Sequence, residues 1–112
     1  MTDVKPTIEY DDFAKLDIRI GRVVAASLPD WSRKLIELSV EFDSDTRSIL
    51  AGISQWYGPD DLISNYYLFV VNLAEKKMGP AVSQGMMLMA DAAERPVPLK
   101  ITDPVAVGVA VR

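Results

Sequence analysis

Residues 34–42, KLIELSVEF, constrain this chain more than any other stretch. Ile36, Leu38, Val40 and Phe42 alternate with Glu37, Ser39 and Glu41. A period of two belongs to a strand with one wet face and one buried face, so a sheet with a single covered side has to form here. Asp43-Ser44-Asp45 then reads as a turn, and TRSILAGI, ending at Ile53, as the returning strand.

The flanking segments supply partners for that hairpin. From Asp17, DIRIGRVVAASLP is apolar at Ile18, Ile20, Val23 and Val24 and reads as a long strand. Its Gly21 is the expected site of a bulge or sharp bend, where one strand serves two sheets. Tyr10 to Lys15, YDDFAK, predicts one helical turn capped by Asp11 or Asp12, with Phe13 and Leu16 pointing inward. Pro29 to Ser32 reads as a turn, and Pro59 to Leu62 as a short helix with proline at its first position and acids in its first turn. Residues 66–73, YYLFVVNL, are short, β-branched and aromatic, which predicts a strand covered on both faces. A hydrophilic loop over 74–84 separates it from a fifth strand, GMMLMA, at 85–90. Beyond Asp91 come a short extended PVPLKI and an apolar end, VAVGVAV.

Five strands with a short helix between the third and fourth predict an all-β fold, a small closed barrel of the oligonucleotide/oligosaccharide-binding (OB) type. A β-sandwich would call for seven or more evenly spaced strands. The 112 residues fit one domain, with a core over about 10–92 and a C-terminal extension over 93–112.

Composition narrows the chemistry. Cysteine and histidine are both absent. That removes disulfides, thiol nucleophiles, the usual general base at neutral pH and the commonest ligands of zinc. No cofactor, metal or enzymatic activity is expected. No apolar run approaches the roughly 20 residues that span a bilayer, and the start, MTDVKPTIEYDD, lacks the pattern of a signal peptide. A cytoplasmic protein is the simple reading. Net charge is −4, from 12 basic and 16 acidic residues. A nucleic-acid site on such a body has to be a local basic patch, because bulk charge works against it.

Five segments share the order and spacing of one family: DFAKLDIRIGRV at 12–23, RKLIEL at 33–38, RSILAGI at 47–53, VVNLAEKKMG at 70–79 and SQGMMLMA at 83–90. The chain resembles the tRNA-binding domain found at the C-terminus of many bacterial methionyl-tRNA synthetases, in endothelial-monocyte-activating-polypeptide-like cytokines and as small free-standing proteins. The initiator methionine and the length suggest a free-standing form. The resemblance implies an OB barrel with N- and C-terminal extensions, usually a homodimer, that binds tRNA by shape more than by sequence. One branch of the family is described as secretion-related chaperones.

Carried over residue by residue, Lys76 and Lys77 match basic positions in the loop between the fourth and fifth strands, where they would meet phosphates. Lys34 matches the lysine ahead of the family's leucine pair, with Arg33 just before it. Arg47 matches the arginine that opens the third strand, where an ion pair with Glu41 or Asp43 is an equally ready use for it. Asn72 matches the asparagine of NL and either meets RNA or orders the loop from below. Ser83 and Gln84 belong to the SxGM signature and can donate to phosphate or to a ribose hydroxyl. Gly85 would let the backbone pass close to a ligand or bend into the strand, and Met86 reads as structural. Trp31 is the aromatic best placed to stack on a base, whereas Trp56 and Tyr57, beside the capping helix, read as core. Glu75 departs from the pattern, standing where family members often carry proline.

Two functions compete on these residues. One is a non-catalytic, dimeric tRNA-binding module, with an aminoacyl-tRNA synthetase as a further partner. The apolar edges at 13–20 and 105–111 motivate the dimer. The other is a protein-binding or chaperone-like dimer, favoured by a pI near 4.7 and by Met78, Met86, Met87 and Met89, which otherwise pack a fifth strand.

Overall fold

The computed structural model describes residues 3–112. The alternation at 36–41 becomes β2 (Ile36–Glu41), in which Ile36, Leu38 and Val40 are fully buried and the residues between them half-exposed. It pairs along its whole length with β3 (Thr46–Ala51), and the turn closes where the Phe42 N–H donates to the Asp45 carbonyl. β1 (Ile18–Ser27) divides its pairing. Residues 18–22 lie against β4 (Tyr66–Val70), and residues 22–27 against β2.

The irregularity that permits this division falls between Val23 and Ala25, not at Gly21. Gly21 serves close packing instead, since a Cβ there would lie 2.5 Å from Val40 Cγ1 and 2.8 Å from the Phe42 ring. Phe42 in turn meets Phe69 edge-on, with ring centroids 5.8 Å apart.

Residues 83–87 close the barrel between β3 and β4. β7 (Met86–Met87) pairs with β4, and the Gln84 N–H donates to the Ser48 carbonyl of β3. α2 (Pro59–Leu62), lying between β3 and β4, buries Leu62 in the core. Its entry is fixed by the Gly58 N–H, which donates to the Asp61 carboxylate. This is an all-β, OB-like barrel that is nearly closed, with the short helix at its expected place.

The fifth strand is broken rather than continuous. β7 ends at Met87, and β8 (Met89–Asp91) turns away to pair with β9 (Pro96–Pro98). Leu88 still bonds β4 through Leu68 O, which accepts from its N–H. The segment expected as a loop over 74–84 contains a ribbon of two short strands, β5 (Lys76–Met78) and β6 (Ala81–Ser83), turning at Gly79-Pro80. The C-terminal extension returns to the barrel: β10 (Lys100–Ile101) pairs with β4, and β11 (Ala110–Val111) with β1.

α1 (Tyr10–Phe13) is capped earlier than expected, at Glu9, whose N–H donates to the Asp12 carboxylate. Phe13 and Leu16 do not point inward but remain 40% and 45% exposed. The buried core cluster includes neither of them, and α1 buries none of its residues.

Candidate nucleic-acid interface

The register of the ribbon, Lys76 opposite Ser83 and Lys77 opposite Val82, sends the two lysines to opposite faces, because successive side chains alternate along a strand. Lys76 and Met78 face the barrel. With Leu50, Leu73, Ser83 and Met86 they line a mainly apolar groove of about 350 Å³. Lys77 and the exposed Val82 occupy the other face. Neither lysine makes an ion pair among the described residues. Glu75, beside them in sequence, is hydrogen-bonded at 3.5 Å by Gln84 Nε2 instead.

The segment joining β1 to β2 meets this ribbon through Trp31. A Cβ on Gly79 would lie 2.6 Å from Trp31 Cζ3, so the indole rests on the glycine at the ribbon's turn. Gly79 also has φ +57, which a side chain would strain. Arg33 and Lys34 follow Trp31, and their backbone is fixed from two sides. Ser32 Oγ accepts from the N–H groups of Lys34 and Leu35, and Ser54 bonds the carbonyls of Arg33 and Lys34. Neither side chain is ion-paired among the described residues. Lys34 lines a second cleft with Ser32, Gln55 and Trp56.

The other four expected residues hold strands together. Arg47 pairs with Asp45, rather than with Glu41 or Asp43, at 3.0 Å, and donates to the carbonyls of Val71 and Gln84. Across the hairpin its register partner is Val40, which places Glu41 beside Thr46 instead. Asn72 uses both ends of its amide on the turn segment leading into β1: Oδ1 accepts from the Asp17 N–H and Nδ2 donates to the Lys15 carbonyl. Of the two roles open to Asn72, ordering the chain is the one its bonds serve, though it ties down residues 15–17 rather than the ribbon.

Ser83 is only 3% exposed, and its hydroxyl accepts from the Leu50 N–H and donates to the Gly85 carbonyl. Gln84 Oε1 accepts from the Ser48 N–H, so Ser83 and Gln84 extend the ladder of β3 with side-chain bonds. Gly85 is the bend into the strand, since a Cβ there would meet Val70 O at 2.9 Å.

Sequence reasoning missed a third concave feature, a cleft of about 470 Å³ between α2 and the β9–β10 segment. Trp56 borders both this cleft and the one holding Lys34, and it is 40% exposed rather than core. Tyr57 does pack against the core, with its hydroxyl donating to Pro96 O. Two neighbouring large aromatics at the mouth of a short helix carry the signal, because adjacent side chains rarely enter one core together. Tyr67, at the cleft floor, is buried, and loss of solvation pushes its phenol pKa up.

Among the described residues no group of three or more acids could hold a metal, and no helix is long and apolar enough to cross a membrane.

Residues 18–110 match the family model described as "Putative tRNA binding domain". The chain is 36% identical over 92 residues to a methionine–tRNA ligase of Pelodictyon phaeoclathratiforme, an alignment covering 82% of this chain and 13% of the ligase. It superimposes on a MetRS-related protein from Pyrococcus horikoshii with a TM-score of 0.91 and 31% identity, covering 96% of this chain and all of that one. The chaperone CsaA of Bacillus anthracis superimposes with a TM-score of 0.84 and 27% identity, covering 96% of this chain and all of that one. The chain thus spans about an eighth of the ligase it matches.

Proposed function

The chain belongs to the tRNA-binding domain family, and from that premise we propose that it is a non-catalytic module that binds tRNA through cations at one rim of the barrel. The observation that carries this reading is the seating of Trp31 on Gly79. It joins the segment bearing Arg33 and Lys34 to the ribbon bearing Lys76 and Lys77, four cations without ion pairs among the described residues. In this reading those four meet the RNA backbone, Arg47, Ser83 and Gln84 bind β3 to the segment that closes the barrel, and Asn72 ties down residues 15–17. Contacts of this kind fix position and shape with no base code, which suits recognition of a folded RNA.

The whole chain acts in the cytoplasm as one domain and as a homodimer, and its synthetase relatives support an aminoacyl-tRNA synthetase as a further partner. The second copy is supported by Phe13, Leu16, Val105 and Val109, exposed in the segments that lead into β1 and into its partner β11.

The test is tRNA retention across a salt series by wild type and by the Lys76→Glu/Lys77→Glu double variant. Removing one lysine–phosphate pair lowers the slope of log K against log salt by about 1, so the double variant should fall short by roughly 2. No retention by the wild type at low salt, or an unchanged slope, overturns the proposal.

The apolar groove beneath Lys76, with Met78 and the exposed Met86, favours one alternative: a chaperone-like binder of apolar polypeptide segments. The likeness to CsaA supports it. Suppression of client aggregation that added tRNA leaves undiminished would select this reading.

A further inference from the structure

The cleft between α2 and the β9–β10 segment lies outside the rim and has its own chemistry. One wall is aromatic, from Trp56 and Tyr57, and Arg95 and Lys100 line the cleft with them. Arg95 is held in place: its guanidinium carbon sits 5.6 Å from the centre of the Tyr57 ring, and its Nη1 donates to the Tyr57 hydroxyl. Neither Arg95 nor Lys100 forms an ion pair among the described residues. The one acid in the lining, Asp61, accepts from the Gly58 N–H through one carboxylate oxygen. Asn65 donates through Nδ2 to Asp61 O and to the Tyr67 hydroxyl. Its amide oxygen is left as an acceptor with no partner among the described residues.

A flat aromatic surface, two cations and a spare amide acceptor suit a planar polar ring joined to an anion. The volume, about 470 Å³, falls in the range of small-molecule sites. Trp56 gives the cleft continuity with the rim, because its ring also borders the cleft that holds Lys34. Trp56 is thus shared by the cleft that Lys34 lines and the cleft that Lys100 lines.

We propose that this cleft takes one unpaired nucleotide of a bound RNA, its base stacked on Trp56 and its phosphate held by Arg95 and Lys100. The proposal rests on the RNA-binding reading and adds to it a single-stranded contact away from the rim. An acidic peptide would satisfy the two cations but would have no use for the exposed Trp56 side chain.

The probe is a hexamer of adenylate RNA, with inorganic polyphosphate and hexaglutamate as controls for charge alone. The full chain has two indole N–H resonances, assigned through Trp31→Phe. The hexamer should shift that of Trp56, and neither control should. Anisotropy of a labelled hexamer should show binding weakened by roughly tenfold in Trp56→Ala, the loss of one stacked base. Lys100→Glu, on an exposed strand end, should weaken it severalfold with no change in the unfolding transition.

The Lys76→Glu/Lys77→Glu variant should lose tRNA retention yet still show the Trp56 shift. A Trp56 signal that the hexamer leaves unmoved, or that polyphosphate or hexaglutamate moves equally, overturns the proposal. If the wild type still retains tRNA in that case, the cleft alone is refuted. If it does not, the RNA reading falls with it.

Discussion

Asn72 shows how a residue that carries a family's pattern can have its side chain engaged within the fold. Its amide satisfies an N–H and a carbonyl of the segment leading into β1, at 2.8 and 2.7 Å. Asn72→Ala leaves both backbone groups to find water, and should cost about 1–2 kcal/mol of stability. Urea unfolding checks this as a lower midpoint at unchanged slope. The salt dependence of tRNA binding should stay as in the wild type, because no charge is removed. Loss of tRNA binding with stability intact would return Asn72 to the interface. Arg47, Ser83 and Gln84 follow the same logic. Polarity at 47, 83 and 84 was legible in the sequence, but the strand partners that consume it were not, since those hydrogen bonds join residues 24 to 37 positions apart.

At the scale of elements, the period-two run at 36–41, the hairpin after it and the four-residue helix at 59–62 stand where the residues place them. Each rests on local pattern, alternation or a proline with acids at a helix start, and local pattern is what a sequence displays. The ribbon at 76–83 was not legible, because Lys-Lys-Met and Ala-Val-Ser have no alternation that distinguishes strand from loop. Its turn depends on Gly79, whose backbone is left-handed and whose α-carbon lies under Trp31. Gly79→Ala should strain the turn by about 1–2 kcal/mol and displace the indole. The expected readout is a red shift of tryptophan emission and severalfold weaker tRNA retention, since Arg33 and Lys34 lose their register with the ribbon. Gly52→Ala, where an added Cβ meets nothing within 4 Å, is the matched control and should change neither. Unchanged emission in Gly79→Ala would mean that the ribbon and the Trp31 segment are not coupled.

For the whole molecule, the net charge of −4 opposes binding to any polyanion. In the proposed reading placement offsets it: Arg33, Lys34, Lys76 and Lys77 carry no ion pair among the described residues, while Lys15, Arg19 and Arg47 are held by neighbouring acids. Oligomerisation also belongs to this scale. The side chains of Phe13, Leu16, Val105 and Val109 stay exposed on the single chain, and covering them with a second copy would set two rims side by side. Sedimentation at micromolar concentration should report a dimer, and Leu16→Glu should shift it to monomer. Only monomer in the wild type would remove the two-rim arrangement and leave the single rim.

Lysine footprinting tests the shared rim most directly. Amine acylation of the protein with and without excess tRNA, read by mass spectrometry, reports which ammonium groups the RNA covers. Protection of Lys34, Lys76 and Lys77 together, with Lys5 and Lys15 labelled as before, is the expected result. Protection that misses Lys34, Lys76 and Lys77, or that separates Lys34 from the ribbon lysines, would contradict it.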